Sequence, residues 1–175
     1  MALDAALLAL AARELKQTLL DAKIDKIFEP TRDEVVITLR TRTDTFKLLL
    51  SARSGSARAC LTQDTFENPA VPPSFCMLLR KHLTGGRLVD LRVEQGDRLV
   101  FFEFQCTNEM GDLVRNILAV ELMGRYSNLV LVQDGRIIDA LKRVDFEDSQ
   151  IRQLLPGLAY TLPQKPNKPD LFTVS

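Results

Sequence analysis

The chain has 175 residues, 46% hydrophobic and 26% charged, which suits one ordinary domain with a buried core and argues against disorder over most of its length. Its 23 Lys and Arg balance 23 Asp and Glu, so it offers no overall basic field for nucleic acid, and any RNA contact has to come from a local patch. Cys60, Cys76 and Cys106 are odd in number and include no C-x-x-C pair, which excludes a closed disulfide framework and points to a reducing cytosol.

Asp4 is placed to cap a helix over 5–22, in which Leu8, Ala12, Leu15, Leu19 and Ala22 recur at helical spacing. No basic stretch precedes this helix and Arg13, Glu14 and Lys16 interrupt it, so it does not have the pattern of a signal peptide. No apolar run approaches the roughly 18 residues that a membrane helix needs. From Ile24 the period changes to that of strands. Val35, Ile37 and Leu39 alternate with Glu34, Thr38 and Arg40, then Phe46, Leu48 and Leu50 continue the pattern, and 57–62 reads as a fourth strand after Ser54-Gly55-Ser56.

Pro72-Pro73-Ser74 opens a second helix, with Phe75, Leu78, Leu79 and Leu83 on one face, Arg80, Lys81 and His82 in its last turn, and Gly85-Gly86 as its stop. Val89, Leu91 and Val93 then alternate with polar residues up to Gln95-Gly96-Asp97, where the chain turns into an apolar strand over 98–104. A further turn at 108–112 leads to strands over 113–122, 129–133 and 137–140, the last two joined by Asp134-Gly135. Two helices among at least seven short strands, without regular β-α-β alternation, predict an α+β fold: a mostly antiparallel β-sandwich or open barrel with two flanking helices. The domain is expected to span 1–160, and the Pro- and Lys-bearing stretch 161–175 reads as a linker toward further domains.

Chemistry-bearing patterns are few. One histidine, His82, cannot build a multi-histidine metal site, and neither a nucleophile elbow nor a glycine-rich phosphate loop occurs, so the residues suggest no metal, cofactor or catalysis. Glu103, Glu109, Asp112 and Glu121 read as solvated strand-end carboxylates. Asp97-Arg98, at a hairpin tip, sets a carboxylate beside a guanidinium fork; a turn Asp flanked by an exposed Arg explains it as well. Arg125-Tyr126-Ser127-Asn128 supplies an Arg, a stacking ring and two small hydrogen-bonding groups, suited either to phosphate or an unstacked base or to a tight bend.

The series from Phe75 to Leu83 (FCMLLRKHL), Gly85-Gly86, Asp97-Arg98, Glu121-Leu122-Met123-Gly124-Arg125 and Ser127-Asn128 resembles the N-terminal NFACT domain of the RqcH/NEMF/fibronectin-binding protein A family. Arg152, Leu155-Pro156-Gly157, Tyr160 and Pro163 are similar to that family's closing R-x-x-L-P-G-x-x-Y-x-x-P stretch. The resemblance implies a fold similar to the N-terminal domain of formamidopyrimidine-DNA glycosylases. It also implies a cytoplasmic, non-enzymatic role on the large ribosomal subunit: binding tRNA, expected to be alanine tRNA, and the obstructed 50S subunit with its peptidyl-tRNA, in support of template-free alanine tailing. By the same resemblance Asp4, Asp97 and Arg98 engage tRNA, while Arg125, Tyr126, Ser127 and Asn128 are candidate RNA contacts. Tyr126 stands where the family commonly has His, and a phenol stacks but cannot become cationic near neutral pH. The alternatives are a cell-surface fibronectin-binding adhesin and a glycosylase-like DNA-binding module without catalysis; the chain begins Met1-Ala2-Leu3 and so lacks the N-terminal Pro-Glu of those glycosylases.

Overall fold

The computed structural model describes residues 5–94 and 98–163. Helix α1, Ala5–Leu19, stops where Asp21 takes a left-handed φ of 69°, three residues short of the end expected from the apolar stripe. Ala22, the last member of that stripe, is still fully buried, because the chain turns inward there to start β1, Lys23–Thr31. Strands β2 (Glu34–Arg40), β3 (Thr45–Ser51) and β4 (Arg58–Thr62) follow as an antiparallel meander, then helix α2 (Ser74–Leu83). Strands β5 (Arg87–Glu94), β6 (Leu99–Thr107), β7 (Leu113–Glu121), β8 (Asn128–Gln133) and β9 (Arg136–Ala140) complete one antiparallel sheet of order β4-β3-β2-β1-β5-β6-β7-β8-β9. The fold is α+β, with two helices on an antiparallel sheet, as the patterning predicts.

The β1–β5 ladder is short, with Lys23↔Arg87 as its register pair and backbone bonds from Ile24 N to Gly86 O and from Leu88 N to Ala22 O beside it. One core cluster draws on both halves, Ile27, Ile37, Leu39 and Leu48 from one and Leu88, Phe102, Phe104, Leu118 and Leu131 from the other, and α1 and α2 add Leu15, Leu19, Leu79 and Leu83. The two halves thus share their apolar faces in the manner of a sandwich. A second cluster, built from Leu99, Phe101, Ala119, Val130, Val132, Ile137 and Leu154, occupies the other face of β6–β9, where residues 144–160 lie across it. Covering both faces explains why β6 reads as apolar Leu99-Val100-Phe101-Phe102 with no alternation: each of the four is buried.

Gly86 sits at a close approach between α2 and β6. A Cβ there would lie 2.6 Å from Cys106 Sγ and 2.9 Å from Leu83 O. The three cysteines are free thiols, Cys76 and Cys106 being buried. No helix among the described residues is long and apolar enough to cross a membrane.

Candidate nucleic-acid interface

The antiparallel register decides which candidate residues meet. Leu99 at the start of β6 pairs with Glu121 at the end of β7, and the pairing extends one step through Leu122 N–H donating to Arg98 O at 2.9 Å. Arg98 therefore lies beside the turn that follows β7, although 27 residues separate it from Arg125. Its Nη1 reaches Leu122 O at 3.5 Å, at the limit of a hydrogen bond, the one side-chain bond of Arg98 among the described residues. Asp4 and Asp97, the other two residues expected to engage tRNA, lie outside the described residues.

In the adjoining turn, Met123 leads into a 3-10 turn, Gly124–Tyr126, that Gly124 enters with a φ of 57°. The Arg125 guanidinium stacks over the Tyr126 ring at 4.9 Å while its Nη2 donates to the phenol oxygen at 2.8 Å. The pair presents a flat cationic and aromatic surface, with Tyr126 69% exposed. Ser127 and Asn128 are instead buried. Ser127 Oγ accepts from Met123 N at 2.8 Å; Asn128 Oδ1 accepts from the Leu129 and Lys142 amides, and its Nδ2 donates to Lys142 O at 2.7 Å. Of the four candidates in this turn, two therefore face solvent and two hold the bend that presents them.

Beneath the turn is a charged network that composition alone does not reveal. Glu121, 1% exposed, accepts from Arg152 Nη1 and Nη2 at 3.0 and 2.6 Å and from the Tyr160 hydroxyl at 2.7 Å. Arg152 also donates through Nε to Thr161 O at 2.9 Å and lies over the Tyr160 ring at 5.2 Å. Burial by itself pulls the Arg152 guanidinium down, but the hydrogen bonds and charge of Glu121 outweigh it and hold Arg152 above its ordinary value. Burial, then the Glu121 charge, push the Tyr160 hydroxyl far up, so it serves only as a donor. The expectation of a solvated Glu121 is thus corrected: it anchors the C-terminal segment to the end of β7. Glu103 is paired as well, with Arg92 at 2.9 Å and with Arg115. Among the described residues no group of His, Cys, Asp or Glu side chains gathers into a metal site.

A second feature missed in the sequence is Glu29 on β1, an ordinary strand carboxylate by pattern that proves to be 6% exposed, its Oε1 without a hydrogen-bond partner among the described residues. Burial raises its carboxyl to about 7, against the opposing pull of the Cys76 backbone N–H. The alternating pattern of β1 was the available signal, since position 29 falls on the same side as the buried Ile27.

The antiparallel α+β domain thus carries Arg98 beside Leu122, at the start of the turn that presents the Arg125–Tyr126 stack. Comparison with known proteins shows the family. The chain matches the family model for NFACT N-terminal and middle domains over residues 4–175 and belongs to that family. It is 38% identical to an Rqc2 homolog RqcH of Streptococcus suis over 100% of this chain and 32% of the relative, and 38% identical to the Rqc2 homolog RqcH of Bacillus subtilis over 89% of this chain and 28% of the relative. Among solved structures it superposes on the N-terminal domain of fibronectin-binding protein PavA from Streptococcus pneumoniae with a TM-score of 0.90 at 36% identity, covering 99% of this chain and 69% of that one. The N-terminal part of the fibronectin/fibrinogen-binding protein of Streptococcus suis gives 0.89 at 38% identity, covering 99% and 66%. The chain spans about a third of the length of the curated RqcH relatives it matches.

Proposed function

We propose that this domain belongs to a cytoplasmic ribosome-associated quality-control factor and binds tRNA and the obstructed 50S subunit carrying peptidyl-tRNA, in support of template-free alanine tailing. The observation that carries this reading is the placement of Arg98 against Leu122, where the turn bearing the Arg125–Tyr126 stack begins, on a chain of zero net charge: a compact contact for an RNA, with no field to bind nucleic acid indiscriminately. The names of the relatives, Rqc2 homolog RqcH, favour the same role. Asp97, next in the chain to Arg98, and Asp4 complete the proposed tRNA contact. The domain takes the part of a positioning module, while peptide-bond chemistry stays with the ribosome.

The test is binding of tRNA and of 50S particles by the full-length protein, with and without Asp97→Ala and Arg98→Ala together. The double variant should lose tRNA capture and keep its circular-dichroism spectrum and unfolding midpoint; capture at the parental level refutes the assignment. The descriptions of the solved relatives favour a second reading, a fibronectin-binding adhesin. Recovery of the protein at the cell surface on fractionation, together with saturable fibronectin binding, would establish that reading instead.

A further inference from the structure

The register that joins the two halves of the sheet also lines up cations on its outer face. Arg115 pairs with Gln105, Gln105 with Arg87, Arg87 with Lys23 and Lys23 with Arg40, so these positions form one row across β7, β6, β5, β1 and β2. Paired residues share a face of the sheet, and the in-strand neighbours Phe104, Leu88, Ile24 and Leu39 point the other way, into the main core. The row therefore meets solvent: Arg115, Arg87, Lys23 and Arg40 are exposed and Gln105 is half-buried. Alongside it, Lys26 pairs with Thr38 and Thr38 with Lys47, which adds two cations on the same face.

Sheet stability does not account for this row. Like charges directly opposite one another destabilise a sheet, and Lys23 stands opposite a cation on both sides. Carboxylates offset the repulsion only in part. Asp21 lies 3.7 Å from Arg87 and Asp25 lies 3.8 Å from Arg40, longer than a charge-assisted hydrogen bond and at surface sites where ion pairs are weak. Glu103, which holds Arg115, is shared with Arg92. Among the described residues, the six cations of the two rows thus form ion pairs with three carboxylates, on a chain whose charges balance as a whole. The excess of positive charge suits an anionic ligand laid across the strands.

The form of the row selects among RNAs. No position from Arg115 to Arg40 bears an aromatic ring, so unpaired bases find nothing to stack on, whereas the phosphates of a helical stem need only cations on a rigid support. With neighbouring strands about 4.8 Å apart, the row covers roughly 19 Å. At about 3.3 Å per residue, the extended stretch from Arg98 to Gln105 sets it roughly 23 Å from the Arg98 patch. We propose that the row is a second RNA contact, which takes the phosphate backbone of a paired stem laid across β6, β5, β1 and β2. The choice of RNA rests on the function proposed above; the anion chemistry rests on the row alone.

The probe is a blunt RNA duplex of about 16 base pairs, titrated with the full-length protein over a range of salt concentrations. Wild type should bind it. Lys23→Gln, Arg40→Gln and Arg87→Gln together should weaken binding at least tenfold and lower the slope of log K against log salt by about two to three. The same variant should unfold at a urea concentration no lower than wild type, since it removes like-charge pairs. Arg13→Gln, Arg32→Gln and Arg136→Gln together remove equal charge from exposed positions elsewhere and should keep the slope. Asp25→Asn, which keeps every cation and releases Arg40, should tighten the duplex, and it decides the matter if the row variant folds poorly. A well-folded row variant that binds as wild type does, or a control variant that loses as much, overturns the proposal. So does a wild type that ignores the duplex but binds vesicles of phosphatidylcholine and phosphatidylserine in equal parts through the same cations, which makes the row a membrane contact. Wild type that takes the duplex through the row but captures neither tRNA nor 50S particles refutes the function proposed above and leaves this contact in place.

Discussion

Arg152→Ala should destabilise the domain by about 3–5 kcal/mol, the range for removing one partner of a buried ion pair. The structure sets the scale. The substitution removes two hydrogen bonds to Glu121, at 3.0 and 2.6 Å, and one to Thr161 O at 2.9 Å, each worth about 1.5–3 kcal/mol where a charge is involved. Two effects reduce the sum: Tyr160 keeps its 2.7 Å bond to Glu121, and the space vacated by the guanidinium can admit water to the carboxylate. Urea unfolding by circular dichroism gives the free energy directly, and for a chain of this size the thermal midpoint should fall by roughly 6–20 °C. The double variant Glu121→Gln with Arg152→Met should recover much of the loss, because it leaves no uncompensated charge. A loss below about 1 kcal/mol for Arg152→Ala, the value of an exposed pair, would refute the claim that this network locks the C-terminal segment to the end of β7.

Glu29 provides a pH signature of the opposite sign to that of an ordinary paired carboxylate. Its folded pKa, about 7, lies above the ordinary 4.5, so the folded state binds more protons between these values; stability should fall as pH rises from about 4.5 to 7, by up to about 3 kcal/mol, and level off above. Unfolding midpoints at pH 5 and pH 8 should show this slope in wild type, and Glu29→Gln should flatten it. Gly86→Ala should cost about 1–3 kcal/mol, since Leu83 O at 2.9 Å is backbone and cannot yield; an unchanged urea midpoint would contradict the close approach. Tyr126→Ala should alter stability by no more than about 0.5 kcal/mol yet weaken RNA binding by about 1–3 kcal/mol, the worth of one stacked base. Asn128→Ala should do the reverse, lowering the unfolding midpoint through loss of its bonds to Leu129 and Lys142 while RNA affinity per folded molecule holds.

Local pattern was enough to place most of the elements. Alternation marked β2, β3 and β5, the diproline and the glycine pair bounded α2, and Asp134-Gly135 set the β8–β9 turn, because each of these signals acts within a few residues of backbone. The order of the motifs also made the family legible. What the sequence left open is burial and company. Glu121 and Glu29 look like any strand carboxylates until the fold encloses them, Glu121 with Arg152 and Tyr160 of the returning C-terminal segment and Glu29 against α2, its Oε1 without a partner among the described residues. Ser127 and Asn128 suited either a ligand or a bend until Met123 and Lys142 were found to use their polar atoms. The unbroken apolar run of β6 is likewise explained only by a second cluster over its outer face. Periodicity records which way a side chain points, but the dielectric and the partners around it come from segments distant in the chain, and only the folded arrangement decides those.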